Sequence, residues 1–256
     1  MLVAEVYGEQ GWSPESYFRL DDPYTEIIRS LSSDSTVGRL LKKTAALRLT
    51  RQDPWENLLM FICSTNNNAK RISYMVRKLC AAFGPTVDTP YGPVHLFPSA
   101  RTLSRASIQE LHACGLGYRA DYILGSARLI TERKMDLASL RTKPYEVARS
   151  VITEFPGCGN KVADCVCLFA LEKLDSFPID KWIRRVVVNS YQHLFPQPVT
   201  KRLMIGSLTP KLYDQVSATM RSYFGRYAGY AQNQLYYNAR ALLRRRAARK
   251  VGRKPL

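Results

Sequence analysis

The stretch from Phe155 to Asp180, FPGCGNKVADCVCLFALEKLDSFPID, constrains this chain more than any other. It opens with Phe-Pro-Gly-Cys-Gly-Asn, a turn in which Gly157 and Gly159 can take the positive φ that other residues avoid. The run Lys161 to Leu171 lacks Pro and Gly and reads as a buried helix, with Asn160 as its N-cap. Ahead of the turn, Tyr145 to Glu154 also reads as helical, so the unit is helix, tight glycine hairpin, helix. Backbone N–H groups of such a hairpin point outward beside the positive end of a helix dipole, an arrangement that holds a phosphate. Lys161 lies in the first turn of the second helix, and Asp180 follows shortly after that helix ends. An amine, a carboxylate and a phosphate-holding turn together point to amine chemistry on a nucleic acid.

The charge balance agrees. A net charge of +17 favours a polyanionic partner, nucleic acid before an anionic membrane surface. Part of the excess sits in the tail from Arg240 to Leu256, which holds no acid, but a surplus persists upstream. With 256 residues the chain can bury one good core or two small ones, and 46% hydrophobic residues exclude wholesale disorder. No run reaches the ~18 apolar residues that span a bilayer. The start, MLVAEVYGEQGW, lacks the basic and apolar segments of a secretory signal. Cys63, Cys80, Cys114, Cys158, Cys165 and Cys167 lie mostly in apolar runs without CxxC pairs, and read as reduced thiols of an intracellular protein. His95, His112 and His193 are scattered, so no metal site is expected.

Residues 15–31 read as one helix and Ser32 to Thr36 as a loop. Asp53-Pro-Trp-Glu56 has the pattern of a helix start: a capping carboxylate, Pro at the first position and Glu three residues on. That helix runs to the loop Ser64-Thr-Asn-Asn-Asn68, and a second runs from Ala69 to a stop at Gly84. Pro85 to Ser99 reads as a loop. Ser107-Ile-Gln-Glu110 is a capping box opening a short helix, and Gly115-Leu-Gly-Tyr-Arg119 leads into one reaching about Lys134. Lys181 to His193 is helical, Leu194 to Pro210 a connection, and helices follow at about 210–224 and 228–247. The expected architecture is all-α, as two helical lobes with a cleft between them.

The joint occurrence of Pro-Gly-x-Gly, Lys161, Cys165 and Phe-Pro-Ile-Asp180 resembles the helix-hairpin-helix, Gly/Pro-rich loop and Asp signature of base-excision DNA glycosylases. It is most similar to the 8-oxoguanine DNA glycosylases. Arg51-Gln-Asp-Pro54 with Phe61-Ile-Cys-Ser-Thr-Asn-Asn-Asn68 and Arg71 resembles that family's segment filling the gap left by an extruded base. The resemblance implies contacts to the orphaned cytosine from Asn66 and Arg71. Gly115-Leu-Gly-Tyr-Arg119-Ala resembles the wedge and cytosine-reading pair, implying Tyr118 and Arg119. Tyr227-Ala-Gly-Tyr-Ala-Gln232 with Tyr236 matches the lining of the base pocket, where Gln232 would meet the Watson–Crick edge and Tyr236 stack on the lesion, Tyr standing where Phe is usual. By the same resemblance Cys165 belongs to the pocket, Gly157 and Gly159 to the phosphate-holding hairpin, and Lys181 and Arg184 to the DNA contact.

The resemblance covers about 50–245 and divides the chain into 1–50, a remnant of an N-terminal domain or an extension; 51–247, a helical glycosylase domain with its hairpin motif at about 145–172; and 248–256, a basic tail. It departs from the family twice. The N-terminal domain is expected to be mostly missing, only Tyr7 to Trp12 with Tyr17 and Phe18 resembling its last helix. Trp182 stands where the family has a phosphate-holding histidine, a role that falls to Arg184 or Arg185.

Free lysine has a pKa near ~10.4, and burial or neighbouring positive charge lowers it, so a neutral Lys161 could attack C1′ of a damaged nucleoside. Schiff-base formation and β-elimination would follow, with Asp180 stabilising oxocarbenium character. Lys161 and Cys165, four apart, share one helical face. The expected partner is duplex DNA with 8-oxoguanine opposite cytosine, met by a monomer. The family requires no cofactor, though a structural monovalent cation at the hairpin is compatible with it. Two other readings stand beside this one. An endonuclease III-like enzyme for oxidised pyrimidines usually carries a four-cysteine iron–sulfur loop, and no cysteine follows Cys167. A non-catalytic paralogue would keep the grip on DNA without the chemistry. The basic tail and the motif set lead to the nucleus as the expected compartment, with the mitochondrion as the alternative.

Overall fold

The computed structural model describes residues 13–44 and 46–250, with side chains up to 242. Its first half contains helices α1 (Pro14–Tyr17), α2 (Tyr24–Leu31), α3 (Ser35–Leu41), α4 (Pro54–Ser64) and α5 (Ala69–Phe83). Strands β1 (Thr86–Thr89) and β2 (Gly92–His95) follow, then α6 (Ala100–Ser104), α7 (Ile108–Ala113) and α8 (Arg119–Glu132). The second half runs through α9 (Tyr145–Thr153), α10 (Asn160–Ala170), α11 (Lys181–Ser190), α12 (Gln197–Ile205), α13 (Pro210–Phe224) and α14 (Ala228–Lys250). The fold is all-α, as expected. Among the described residues no helix is long and apolar enough to cross a membrane.

The described chain forms two compact units. The first takes 13–18 and 50–172; the second takes 19–49 and 173–250. This division falls inside the stretch read from the sequence as one helical domain.

The first unit is built around α4, α8 and α10. Asp53 caps α4 by accepting from the N–H groups of Trp55 and Glu56, and Pro54 supplies a preset φ at the first position. Leu58, Leu59 and Ile62 then recur on one face and meet Val162, Val166 and Cys167 of α10 in a core closed by Leu116, Ala120 and Ile123. Each large aliphatic side chain buried this way contributes roughly 1.5–3 kcal/mol. The capping box at Ser107 and Glu110 is reciprocal, whereas at α4 the Asp53 carboxylate caps alone. In the second unit α14 lies against α11 and α3, around a core that includes Val37, Leu41, Ile183 and Val187. Tyr24 meets Tyr230, and Thr44 donates to Gln234, so the segment 19–49 is sewn to the C-terminal helices.

Several expectations need correction. Residues 15–31 form two helices, α1 and α2, and the supposed loop at 32–36 already contains the start of α3, capped by Asp34. The loop at 85–99 contains the antiparallel hairpin β1–β2, with Thr86 opposite His95. The connection at 194–210 contains α12. The N-cap of α10 is Gly159, not Asn160, which is already the first helical residue. Helix α14 continues to Lys250, into the stretch read as a tail. The segment Tyr7 to Trp12 lies outside the described residues. None of the six cysteines is in a disulfide, and all but Cys80 are buried.

Candidate active site and nucleic-acid interface

In the first unit the helix-hairpin-helix is formed by α9, the turn Glu154 to Gly159, and α10. The turn closes through the Cys158 N–H donating to the Phe155 carbonyl at 3.0 Å. Gly157 has φ +78°, and a Cβ there would sit 2.4 Å from Cδ2 of Tyr122 on α8. Glycine is required twice over at this position, by conformation and by the ring against it. Gly159 differs from expectation: its φ is −80° and a Cβ would meet nothing within 4 Å. With no side chain capping α10, its first N–H groups keep the exposed-donor character that suits a phosphate.

Lys161 lies in the first turn of α10, half-exposed, with Nζ 5.0 Å from the centroid of the Phe61 ring on α4. That ring in turn lies nearly parallel to Phe169, 5.9 Å between centroids. Cys165, one turn on from Lys161, is buried. Between them stands Asp164, a fully buried carboxylate that the sequence reading passed over. Its Oδ1 accepts from the Tyr145 hydroxyl at 2.5 Å and from Arg149 Nε at 2.9 Å, both on α9. A buried charge persists only when paired and hydrogen-bonded, so this carboxylate ties the two helices of the motif together. One charged residue in the apolar run VADCVCLFAL was the available signal.

The same unit gathers the residues expected to face the opposite strand. Asn66 is exposed and left-handed, φ +48°, at the exit of α4. Asn67 donates to the Cys63 carbonyl, Asn68 caps α5, and Arg71 is exposed on its first turn beside Lys70. The Thr65 carbonyl, immediately before Asn66, accepts from Arg119 Nη2 and from the Tyr118 hydroxyl. Arg119 packs its guanidinium 4.5 Å from the Tyr118 ring centroid and is 4% exposed, so it is buried rather than presented. Tyr118 is exposed and meets Tyr122 edge-to-face at 5.7 Å. Tyr122 therefore links this cluster to the Gly157 turn, a connection no local motif announces.

The second unit carries the remaining residues. Asp180 caps α11: its Oδ1 accepts from the N–H groups of Trp182 and Ile183 at 2.8 and 2.9 Å, and Oδ2 accepts from neither. Gln232, buried on α14, donates through Nε2 to the Pro178 carbonyl at 3.0 Å. Gln232 is thereby anchored beside the Pro-Ile-Asp segment that ends in Asp180. Tyr236 is half-buried one turn further, its hydroxyl accepting from Arg240 at 2.9 Å. Lys181 and Arg185 are exposed and both lie over the Trp182 ring, at 5.0 and 5.2 Å from its centroid. Arg184 departs from its expected place in a DNA contact. Nε donates to Leu203 and Nη2 to Gly206, so the guanidinium closes the C-terminal end of α12.

Comparison with known proteins gives these parts a common origin. Residues 59–202 match the model of the HhH-GPD superfamily base excision DNA repair proteins, and residues 13–58 match that of the 8-oxoguanine DNA glycosylase N-terminal domain. The chain is 35% identical over 207 residues to N-glycosylase/DNA lyase OGG1 of Arabidopsis thaliana, a match covering 79% of this chain and 54% of that protein. It is 34% identical over 243 residues to the N-glycosylase/DNA lyase of Saccharomyces cerevisiae, covering 86% and 64%. Among solved structures, MBOgg1 in complex with a low affinity DNA ligand aligns with TM-score 0.77 and 30% identity, over 89% of this chain and 74% of that one. The Clostridium acetobutylicum 8-oxoguanine glycosylase/lyase in complex with double-stranded DNA containing cytosine opposite 8-oxoG aligns with TM-score 0.76 and 28% identity, over 89% and 73%.

The chain belongs to the HhH-GPD superfamily of base excision DNA repair proteins. Within it, the paired matches set the chain among the 8-oxoguanine DNA glycosylases. Part of the N-terminal domain is present in 13–58, more than the few residues the sequence motifs suggested. The chain spans between about half and two thirds of the length of the curated relatives it matches, 54% and 64% for the two above.

Proposed function

We propose that this chain is a bifunctional DNA glycosylase and AP lyase that removes 8-oxoguanine opposite cytosine from duplex DNA through a Schiff base on Lys161. The observation that carries the reading is a half-exposed lysine in the first turn of α10, directly after a glycine turn that leaves the helix without a side-chain cap. The target nucleotide must leave the stack, at a cost of a few kcal/mol, before its C1′ can be attacked. The lone pair of neutral Lys161 forms the C1′–N bond as the C1′–base bond breaks. The sugar ring then opens to an imine, and loss of the 2′ proton expels the 3′ phosphate by β-elimination. Asp180 stabilises the positive character at C1′ and assists the proton transfers, with its Oδ1 held by the α11 cap. Gln232 reads the base edge, and Tyr236 and Cys165 line its faces. Asn66 and Arg71 receive the orphaned cytosine behind a Tyr118 wedge, with Arg119 holding the Thr65 carbonyl beside Asn66, and Lys181 with the Gly157–Gly159 hairpin takes phosphates.

No step runs through a cofactor. Among the described residues the carbonyls of Pro156, Gly157 and Cys158 accept no backbone N–H, so a structural monovalent cation would find oxygen ligands there. Such an ion would brace the turn. The nucleus is the compartment we propose, on the strength of the basic C-terminal stretch.

Borohydride trapping tests the reading on duplexes holding 8-oxoguanine opposite cytosine, thymine glycol, or no lesion. The expected result is an adduct with 8-oxoguanine alone, abolished by Lys161→Gln. Trapping on thymine glycol would move the activity to oxidised pyrimidines. Tight binding without any adduct would leave a damage-binding protein and end the enzyme reading.

A further inference from the structure

We propose that Phe61 is a positioning residue for Lys161, its ring face serving as the seat from which the amine reaches the sugar. The inference rests on the Schiff-base reading of Lys161 given above. The ammonium lies 5.0 Å from the ring centroid, within the range at which a cation is held by the negative face of an aromatic ring. Phe61 is not free to drift, because it lies against Phe169 at an interplanar angle of 24° and its helix, α4, is packed on α10. Phe61, Lys161 and Phe169 are each half-buried, so the seat is neither sealed in the core nor washed by bulk water. Lysine has four rotatable side-chain bonds, and an unheld amine would sample many positions away from the attacking one. Phe169 and Lys161 lie on the same helix, so the ring that backs the seat and the nucleophile belong to one rigid element. Among the described residues no hydrogen bond or ion pair holds Nζ, which leaves the ring as the group that orders it.

The chemistry asked of the seat is limited. Nζ gives its proton to solvent on leaving the ring; attack of the free amine on an abasic-site aldehyde then forms the N–C1′ bond with loss of water, and borohydride delivers hydride to the imine carbon to give a stable secondary amine. Phe61 touches none of these atoms. It sets how often Nζ is poised for the first step.

The test is single-turnover borohydride trapping on a duplex with one abasic site, with the dissociation constant measured separately. Phe61→Leu keeps an apolar side chain but removes the ring face, and the trapping rate should fall roughly threefold to thirtyfold with duplex affinity unchanged. Phe61→Tyr should retain most of the rate. Pentafluorophenylalanine at position 61 keeps the shape and reverses the charge of the face, and it should trap as poorly as Phe61→Leu. That variant decides the matter if Phe61→Leu fails to fold. Wild-type trapping with equal rates in all three variants, or a loss that appears only as weaker binding, would overturn the inference and leave the Lys161 reading intact. Absence of any wild-type adduct would overturn both, and the Lys161→Gln control tells the two failures apart.

Discussion

The Asp164 carboxylate and the Tyr145 hydroxyl meet at 2.5 Å inside the protein, joining the two helices that flank the hairpin. Arg149 completes the group from the same helix as Tyr145. Bonds from Tyr145 and Arg149 to one buried carboxylate fix the spread of α9 and α10, and with it the turn that they carry. Tyr145→Phe removes one bond to a charged group and should cost about 1.5–3 kcal/mol, read by urea unfolding. A loss under about 0.5 kcal/mol would mean that Arg149 alone holds the pair.

The two glycines of the hairpin should respond in opposite ways. Gly157→Ala puts a methyl against the Tyr122 ring at a φ that alanine avoids, and should destabilise by about 1–3 kcal/mol. Gly159→Ala meets open space at an ordinary φ and should leave stability unchanged or raise it by about 0.4–1 kcal/mol. Parallel thermal unfolding of the two variants checks this. Any loss of DNA affinity in Gly159→Ala then reports on the contact with phosphate and not on folding.

Asp180 can be separated into its cap and its chemistry. Asparagine caps a helix about as well as aspartate, so Asp180→Asn should keep the unfolding midpoint close to that of the parent while base release falls by orders of magnitude. Asp180→Ala should lose about 1 kcal/mol of stability as well. Equal activity in the asparagine variant and the parent would reduce Asp180 to a cap.

Burial pushes the Cys63 and Cys158 thiols up to about 12 from an ordinary value near 9. Burial and the Asp34 carboxylate raise Tyr191, and burial and the Asp22 carboxylate raise Tyr230. For each group the folded state holds its proton more tightly than the unfolded chain. The associated stability is whole below about pH 9, and it is lost as pH rises from there through the folded values. Unfolding midpoints measured from pH 7 to 11 should therefore fall on the alkaline side. Iodoacetamide at pH 8 should leave Cys63 and Cys158 unmodified until denaturant is added.

Arg184 should behave as a structural residue. Arg184→Met removes the donors to Leu203 and Gly206, and should destabilise the second unit by about 1–3 kcal/mol while the salt dependence of DNA binding keeps its slope. A shallower slope by about one would restore Arg184 to the phosphate contact.

What could be read from the amino acids follows the range of the forces involved. Caps are local, so Asp53, Ser107 and Gly84 marked their helix ends correctly. Helix α12 was hidden because Pro196 and Pro198 look like loop residues, although proline at the first turn begins a helix. The β1–β2 hairpin was hidden because its strands are only four residues long and neither buries a side chain fully, so no apolar alternation marks them. At the candidate site, Lys161 and Cys165 share a face by spacing alone. The fate of a guanidinium is set by carbonyls distant in sequence: Arg119 is drawn to Thr65 and Arg184 to Leu203 and Gly206. Position along the chain does not show such partners.

The interleaving of the two units has a consequence for synthesis on the ribosome. Residues 19–49 emerge early, yet their packing partners Tyr191, Tyr230 and Gln234 are made only after the whole of 50–172. At ~5–20 residues per second that wait lasts roughly 6–25 s. During it the apolar face of α2 and α3, with Ile27, Leu31, Val37 and Leu41, has no mate, while the first unit already has every residue of its core. The nascent chain therefore completes the half that holds the lysine before it can begin to close the half that holds the aspartate, and chaperone demand should peak between those two moments.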